Sequence, residues 1–255
     1  MGGGASLAVI MPAYNEEGSI AGAVEEVRQL VLAAVPDAGL WVVDDGSRDQ
    51  TGAILDGLAA TDRRLHVIHQ PNGGHGAALI AGMAHSQGEW MLLLDSDQQI
   101  LLDNFTVAWG QREGLDALFG RRLRRDDSWI RKAITAGLKA AVQGLFGMPI
   151  ADPNAPFKLV RRALWEEARG MMPAGCLIPS VFLAVYAHRA HWRWASFDVA
   201  YRERRTGQPS LRKLRLAKFS LHAFVQMLAF RKTLSRQSRA MRTAEQQRQV
   251  NDRGR

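Results

Sequence analysis

Four short apolar segments in the first hundred residues each end in polar or acidic side chains. These segments have the length of β-strands and are Leu7–Met11, Leu40–Asp44, Leu65–His69 and Trp90–Leu94. The stretches between them are predicted as helices: Ser19–Ala34, a helix that begins after Asp49 and reaches about Ala60, and a helix from Gly74 to about Ser86. Strands that alternate with helices at this spacing predict an α/β domain with a mostly parallel, doubly wound sheet. Strands that are almost continuously apolar indicate a sheet covered on both faces.

The second half of the chain shows a looser pattern. The predicted elements are helices at Asp127–Phe146 and Ile178–Arg189, strands at Phe157–Val160 and Trp194–Tyr201, and a long basic helix or helix pair over Leu211–Arg242. We expect Trp194–Tyr201 to be an edge strand. In the first half, we expect Pro12 to end the first strand, because proline lacks the backbone N–H that a strand ladder uses.

The polar residues after the apolar segments are expected to meet at one edge of the sheet. In open α/β sheets, ligands bind in the crevice beyond the carboxyl ends of the strands. The residues concerned are Tyr14, Asn15, Glu16, Asp44, Asp45, Asn72, Asp95 and Asp97. The sequence therefore predicts a ligand site at this edge.

Two carboxylates, Asp95 and Asp97, lie one residue apart at the end of the fourth strand. Both can reach one cation, and the amide oxygen of Gln99 follows within range. Sites made only of oxygen ligands suit Mg²⁺ or Mn²⁺, commonly shared with phosphate oxygens. The alternative is a pair of solvated loop acids, and this motif alone does not distinguish the two.

Four motifs in order make the interpretation more specific: Val9–Glu16 (VIMPAYNE), Val42–Thr51 (VVDDGSRDQT), Asn72–Ala78 (NGGHGAA) and Leu94–Gln99 (LDSDQQ). Together they resemble the family 2 inverting glycosyltransferases with the GT-A fold, a Rossmann-like, mostly parallel sheet flanked by helices. Within that family they resemble the polyprenyl-phosphate branch, which includes dolichyl-phosphate mannose synthase. The resemblance continues less closely at 152–158 and 204–210.

The resemblance implies a domain organisation and an activity. The GT-A domain would cover 1–210, with a nucleotide-binding half at about 1–100 and an acceptor half at about 101–210. The residues themselves, rather than the resemblance, predict a basic amphipathic helical tail at 211–245 and a disordered end at 246–255, which is polar with almost no apolar side chains. The implied reaction is metal-dependent transfer of a sugar from a UDP- or GDP-sugar to a polyprenyl-phosphate lipid.

The resemblance also assigns roles to single residues. The nucleotide site would contain Pro12, Tyr14, Glu16, Asp44, Asp45, Asn72, His75, Asp95 and Ser96. The divalent metal, Mg²⁺ or Mn²⁺, would be held by Asp95, Asp97 and Gln99. The catalytic set would be Asp97, Asp152, Arg122 and Arg131, and the acceptor would meet Lys158 and Arg205. The alternative to nucleotide binding for Asp44–Ser47 is a turn that only caps the following helix.

Three positions depart from the branch's usual pattern. His75 stands where a lysine or arginine is common, so its charge would depend on pH. Lys158 replaces a usual arginine and Pro156 a usual glycine, which affects the expected geometry of the acceptor site. An inverting transferase that uses a hydroxyl acceptor needs a general base, for which Asp152 is the candidate, whereas a phosphate acceptor needs cations instead. The cations around Asp152 favour a phosphate.

Charge is distributed unevenly along the chain. From Tyr201 onward there are fifteen lysines and arginines against three acidic residues, so the tail carries about +12 of a chain whose net charge is +8. The apolar residues of the tail are interleaved with these cations, a pattern typical of a helix that lies on an anionic membrane. The alternative is that the apolar residues pack onto the core. We expect a peripheral protein on the cytoplasmic face of the membrane.

Composition and motifs disfavour several other classes of protein. The single cysteine, Cys176, fits a reducing compartment, and no apolar run reaches the roughly 20 residues of a membrane span. A nucleic-acid-binding protein is disfavoured because the body is acidic. A nucleotidyltransferase would be expected to have a glycine-rich basic motif near the start of the chain, which is missing here. A non-catalytic sugar-nucleotide or lipid-binding module stays open, as does the oligomeric state.

Overall fold

The computed structural model describes residues 6–123, 129–153, 155–202 and 218–237, and the side chains of 129–132 are not described. The predicted acceptor residue Arg205 and the segments 203–217 and 238–255 lie outside this part of the chain. Within it, seven strands form one sheet: β1 (Leu7–Ala13), β2 (Ala38–Asp44), β3 (Leu65–His69), β4 (Trp90–Leu93), β5 (Ala117–Arg122), β6 (Lys158–Arg161) and β7 (Trp194–Val199).

Helices connect and cover these strands. They are α1 (Ile20–Val27), which continues into a π-helical turn (Arg28–Leu32), α2 (Thr51–Ala59), α3 (His75–His85), α4 (Phe105–Gln111), α5 (Trp129–Phe146), α6 (Arg162–Arg169), α7 (Pro179–Arg189) and α8 (218–237). No helix among the described residues combines the length and the apolar character that a bilayer span requires.

The strand order is β3-β2-β1-β4-β6-β5-β7. The pairs β3–β2, β2–β1, β1–β4 and β5–β7 are parallel, whereas β6 runs antiparallel to both β4 and β5. The chain builds β1, β2 and β3 outward in one direction and then returns through α3 to place β4 on the other side of β1. This reversal is the topological switch point beside which open α/β sheets bind ligands. The predicted α/β class is confirmed.

Both faces of the sheet are buried, as the apolar strands predicted. In β1, Leu7, Val9 and Met11 belong to one core, while Ala8 and Ile10 belong to the other. The first core includes α1, whose buried residues Ile20, Ala23, Val24 and Val27 recur at helical spacing along one face. The second core contains α3 and α7. Helices therefore hold the sheet rigidly from both sides, and its carboxyl-terminal edge is left open for a site.

The expectation that Pro12 ends β1 was wrong, because the strand continues to Ala13. The carbonyl of Ala13 accepts a hydrogen bond from Asp45 of the β2 side, while that of Ile10 accepts one from Leu94 of the β4 side. Backbone groups alternate in direction along a strand, so the nitrogen of Pro12 faces β4. The β1–β4 ladder has already ended at Ile10 and Leu93. At that position the missing N–H costs no ladder bond.

The second half differs from expectation in its strands. Ala117–Arg122 forms β5, which the sequence analysis did not assign, and it lies inside the sheet between β6 and β7. The predicted edge strand forms as β7, although it ends at Val199 and Tyr201 makes only an isolated bridge to Ile100.

Helix α8 has two apolar faces. Ala223, Met227, Phe230 and Leu234 are buried, and the ring of Phe230 stacks on that of Phe182 at 4.4 Å between centroids. Other apolar residues of the same helix are exposed, and we call them the exposed stripe: Leu221, Phe224, Val225 and Leu228. They recur at helical spacing (i, i+3, i+4, i+7) and so lie on one side of the helix. One face of α8 therefore packs on the core, as one interpretation of the tail expected. The other face is apolar and exposed to solvent, as a helix that lies on a membrane would require.

Candidate active site

The loops after β1 and β2 are bonded to each other at the carboxyl edge of the sheet. The backbone N–H of Asn15 donates to Ser47 Oγ (3.0 Å), and that of Glu16 donates to Thr51 Oγ1 (2.8 Å). In return, Arg48 N–H donates to Asn15 Oδ1 (2.8 Å). Asn15 has φ +53°, a left-handed conformation that asparagine tolerates. These bonds join the two loops into one continuous wall that adjoins Pro12, Tyr14 and Glu16. The contact of these three residues with a nucleoside stays a prediction.

Asp44 ends β2 and is almost buried, with 6% of the residue exposed. Its Oδ1 accepts the N–H of Ser47 (3.0 Å), and its Oδ2 lies 3.0 Å from Nδ1 of His69. Burial raises the pKa of Asp44, but the hydrogen bonds from Ser47 and His69 outweigh it, so the pKa is lowered and the carboxylate is ionised. The turn described by the capping alternative therefore exists. A carboxylate has about four lone-pair sites, so Asp44 can still accept a hydrogen bond from a ligand.

Asp45 organises the loop before α3. Its Oδ1 accepts from Gln70 Nε2 (2.7 Å) and Gly73 N–H (2.8 Å), and its Oδ2 accepts from Gly74 N–H (2.7 Å). Asn72 in turn donates to the backbone carbonyl of Asp45 (2.9 Å). Both residues thus shape the turn at the N-terminus of α3, and their direct contact with a nucleotide stays a prediction.

Gly46, next to Asp45, has φ +69°, and a Cβ there would lie 2.8 Å from the backbone nitrogen of Asn72. Glycine is therefore required for the two loops to approach this closely.

His75 is the first residue of α3, and its Nε2 lies 3.0 Å from Asp95 Oδ1 beyond β4. Burial lowers the pKa of His75, but the hydrogen bond and the charge of Asp95 outweigh it and the pKa is raised. The same pair lowers the pKa of Asp95 against the effect of burial. The structure thus brings His75 to Asp95, which lies 20 positions further along the chain in the loop of the predicted metal residues.

The predicted metal residues follow β4 in a tight turn. Asp97 Oδ1 accepts the N–H of Gln99 (3.2 Å), and Gln98 between them has φ +54°. Ser96 is nearly buried. The described residues contain no group of three or more histidine, cysteine or acidic side chains placed for a metal. Two carboxylates and an amide oxygen still fit a hard divalent cation that takes further ligands from a diphosphate and from water.

Two residues that were not predicted from the sequence hold this turn in place, Glu26 on α1 and Arg202 after β7. Gln98 Nε2 donates to Glu26 Oε2 (2.9 Å), and Arg202 Nη2 donates to both oxygens of Glu26 (3.0 and 2.8 Å). The N–H of Arg202 also donates to the carbonyl of Gln99 (2.9 Å). Glu26 and Arg202 are 176 positions apart, so no local motif could have indicated their pairing.

On the acceptor side, Arg122 at the end of β5 forms a bidentate ion pair with Asp152. The guanidinium donates through Nε to Oδ2 (2.6 Å) and through Nη2 to Oδ1 (2.9 Å), and the two side chains are only 8% and 7% exposed. Such a fork-to-fork pair is well ordered and strongly directional. Arg131, predicted beside them, lies in α5.

Lys158, the first residue of β6, is almost fully buried. Its Nζ donates to the backbone carbonyls of Ala155 (2.7 Å) and Pro153 (3.2 Å), and so holds the segment after Asp152. Burial lowers its pKa to about 8, against the opposing charges of Asp152 and Asp95. Lys158 is therefore a structural support of the acceptor side as well as a candidate ligand.

A cavity of about 530 Å³ opens beside these charges. His75, Asp95 and Lys158 line one part of it, and the rest is mostly apolar. The apolar lining comes from α3, α5, the start of α7 and α8: Leu79, Ile134, Gly137, Leu138, Ala141, Leu177, Ile178, Pro179, Phe219, Ala223, Phe224 and Met227. Phe224 belongs to the exposed stripe, so the cavity and that stripe adjoin.

Comparison with known proteins gives the family context. A family model described as Glycosyl transferase family 2 matches residues 8–166. The undecaprenyl-phosphate 4-deoxy-4-formamido-L-arabinose transferase of Proteus mirabilis is 28% identical over 214 residues, which is 82% of this chain and 64% of that protein. The protein of the same name from Pseudomonas aeruginosa is 27% identical over 213 residues, 82% of this chain and 61% of that protein. The chain thus spans less than two thirds of the length of these relatives.

Solved structures show a similar fold. Glucosyl-3-phosphoglycerate synthase of Mycobacterium tuberculosis in complex with phosphoglyceric acid has a TM-score of 0.66 and 20% identity, covering 89% of this chain and 80% of that chain. The complex of that enzyme with Mn²⁺, UDP and glucosyl-3-phosphoglycerate has a TM-score of 0.64 and 19% identity, with coverage of 89% and 80%. The predicted GT-A fold is confirmed.

Proposed function

The chain belongs to glycosyl transferase family 2, and we propose that it transfers a sugar from a nucleoside-diphosphate sugar to a polyprenyl phosphate. The observation that carries the acceptor half of this proposal is the apolar cavity beside Asp95, His75 and Lys158. A small polar acceptor gains nothing from such walls, whereas isoprene units are stabilised by burying their apolar surface there.

The charges near the cavity support a phosphate as the attacking group. Lys158 lines the cavity, and both Lys158 and Arg122 are nearly buried cations. Asp152 accepts from Arg122 through both of its carboxylate oxygens. A carboxylate paired in this way resists protonation, which makes it a poor general base for a hydroxyl acceptor. A phosphate oxygen is already anionic and requires positioning rather than deprotonation.

The reaction then needs few steps from the protein. An oxygen of the acceptor phosphate forms a bond to the anomeric carbon while the bond from that carbon to the donor diphosphate breaks, with inversion. The bonding electrons leave with the nucleoside diphosphate. Asp44 and the wall of Pro12, Tyr14 and Glu16 hold the nucleoside, while Arg122 and Lys158 orient the acceptor. A divalent cation held by Asp95, Asp97 and Gln99 would neutralise charge on the leaving diphosphate.

The related proteins support the choice of substrates to test. The relatives in Proteus mirabilis and Pseudomonas aeruginosa are named for undecaprenyl phosphate, and one of the similar solved structures contains UDP and Mn²⁺. UDP-sugars with Mn²⁺ or Mg²⁺ are therefore the first donors to test, followed by GDP-sugars.

The exposed stripe on α8 supports contact with a membrane on its cytoplasmic face, where the lipid acceptor would be. Leu221 is 65% exposed and Val225 53%, and the exposed cations Lys218, Arg231 and Lys232 lie on the same helix. An apolar strip bordered by cations suits the interface of an anionic bilayer.

A transfer assay on the full chain tests the proposal. Labelled donors are offered with undecaprenyl phosphate, with 3-phosphoglycerate or with no acceptor, and product is separated into organic and aqueous phases. We expect label in the organic phase only with the lipid. Label that moves only to 3-phosphoglycerate or another hydroxyl acceptor contradicts the lipid proposal and makes Asp152 the candidate base.

A matched pair of variants on α5 tests whether the cavity holds the lipid. Gly137 lines the cavity and Gly144 does not, and at both positions an added Cβ meets no atom within 4 Å. Gly137→Leu is expected to raise KM for the polyprenyl phosphate while nucleotide binding is unchanged. Gly144→Leu should behave as wild type. Equal behaviour of the two variants would exclude the cavity as the chain site.

A further inference from the structure

His69, the last residue of β3, is held between two carboxylates from different elements. Its Nδ1 lies 3.0 Å from Asp44 Oδ2 of β2, and its Nε2 lies 3.0 Å from Asp56 Oδ1 of α2. Asp44 is almost buried, whereas the side chain of Asp56 is 64% exposed. A histidine that serves two ionised carboxylates at once must donate from both ring nitrogens, which only the imidazolium does.

The residues around Asp44 and His69 restrict the positions of both side chains. A Cβ on Gly52, in the first turn of α2, would lie 3.0 Å from Asp44 Oδ2 and 3.5 Å from Cε1 of His69. The helix therefore approaches the carboxylate and the ring as closely as a residue without a side chain allows. The other oxygen of Asp44 accepts the N–H of Ser47. The orientation of Asp44 thus rests on hydrogen bonds from two residues, Ser47 on one side and His69 on the other.

We propose that His69 is a positioning residue of the nucleotide site, which donates to Asp44 and so keeps that carboxylate oriented toward the donor's base or ribose. Asp56 supports the arrangement from the outside by accepting from the second ring nitrogen. This inference rests on the proposed function, because it takes Asp44 as the residue that binds the nucleoside.

The charge of His69 gives the proposal a pH dependence. The charged groups that face His69 are Asp44 from β2 and Asp56 from α2. The hydrogen bond with Asp56, and then that with Asp44, raise the pKa of His69 against the effect of burial. The protonated form binds both carboxylates, so nucleotide affinity should be highest below that pKa and fall as the pH rises through it. Because the pKa is above its ordinary value of 6.5, the fall belongs above that pH.

Three variants separate positioning from a purely structural role. His69→Asn places an amide N–H close to the position of Nδ1, so it keeps the donor to Asp44 but does not titrate. His69→Leu removes the donor and leaves an oxygen of a nearly buried carboxylate without this partner. Asp56→Asn keeps the shape of an exposed side chain but removes the charge that favours the imidazolium.

The experiment is calorimetry of UDP and GDP binding to the full chain with Mg²⁺, from pH 5.5 to 9, without acceptor. We expect His69→Leu to weaken binding roughly tenfold, the typical effect of losing a hydrogen bond to a charged group. His69→Asn should stay within a few-fold of wild type, and the ratio of its affinity to that of wild type should change with pH. Asp56→Asn should move the fall in affinity to lower pH.

Two results would overturn the proposal. If wild type binds nucleotide and His69→Leu binds it equally well, His69 does not position Asp44. If His69→Leu and His69→Asn lose affinity equally and Asp56→Asn leaves the pH profile unchanged, the residue is only structural. A wild-type chain that binds neither nucleotide contradicts the proposed function itself, and this proposal with it. Because no acceptor is present, failure of the lipid proposal alone would not affect the result.

Discussion

The donor side and the acceptor side of the site are held together in different ways. On the donor side, carboxylates such as Asp45 and Asp97 accept hydrogen bonds from backbone N–H groups of nearby turns. On the acceptor side, Arg122 at the end of β5 forms a buried ion pair with Asp152, and the buried Lys158 at the start of β6 holds the backbone that follows Asp152. We therefore expect loss of a donor-side bond to disturb mainly a local turn, whereas the buried acceptor-side charges contribute both to binding and to the stability of the fold.

Asp97→Ala should show the largest effect on activity and a much smaller effect on stability. The residue lies in a turn beyond β4, and its side chain accepts a hydrogen bond from the N–H of Gln99. Loss of a hydrogen bond of this kind costs about 1 kcal/mol, whereas loss of a metal ligand should abolish sugar transfer. The measurements are transfer of labelled sugar and thermal unfolding. Turnover at the wild-type rate would contradict the assignment of the metal site.

Arg122→Ala should, in contrast, cause a large loss of stability. Removing one partner of a buried ion pair leaves an uncompensated charge and typically costs about 3–5 kcal/mol of unfolding free energy. The neighbouring Arg121 is the matched control, because it forms a bidentate pair with Asp198 in which both side chains are about half exposed. Arg121→Ala should leave the denaturation midpoint close to wild type. Equal midpoints for the two variants would mean that the buried pair contributes no more to stability than the exposed one.

The donor side was also the side that the sequence could predict. Its residues follow apolar strands within a few positions, so β1 to β4, the motifs and the carboxyl edge were all found from local patterns. The acceptor side depends on a pair far apart in the chain, Arg122 with Asp152, and the turn that carries Asp97 depends on another such pair, Arg202 with Glu26. The position of β5 inside the sheet depends on pairing with β6 and β7 rather than on its own sequence.

Two donor-side features were missed for the same physical reason. His69 is 25 positions from Asp44, and only the parallel pairing of β2 with β3 brings the two side chains together. Pro12 was expected to end β1 because its own sequence position does not show which neighbouring strand its nitrogen faces. The neighbouring strands decide whether the missing N–H costs a hydrogen bond. Tertiary pairing, which local propensity does not describe, decided both cases.

Lys158 should make the free energy of unfolding depend on pH. Its pKa is about 8 in the folded chain and 10.5 in an ordinary environment. Between these values the unfolded chain binds a proton that the folded chain does not, so stability rises with pH across this window. Compared with Lys158→Met, wild type should gain about 3 kcal/mol from pH 8 to 10.5.

Chemical denaturation at several pH values measures this gain. Lys139→Met, at an exposed position of α5, is the matched control. A constant difference between wild type and Lys158→Met across the window would show that the charge on Lys158 is not destabilised by burial.

The smallest expected effect concerns the exposed stripe on α8, which extends the acceptor side toward the membrane. Leu221→Ser removes a side chain that is 65% exposed, so most of its surface is available to a bilayer and its loss should weaken binding by about 1 kcal/mol. Val107→Ser on α4 is the matched control, since Val107 is 51% exposed and α4 packs in the other core. The measurement is cosedimentation of the full chain with anionic and neutral vesicles across a salt series.

The cations of α8 add an electrostatic contribution to this contact. Anionic vesicles should bind more of the protein at low salt, because each nearby cation contributes about 1 kcal/mol that salt screens. If Leu221→Ser and Val107→Ser bind alike, the stripe does not contact the bilayer; if neutral vesicles bind as well as anionic ones, the cations of α8 do not direct the contact.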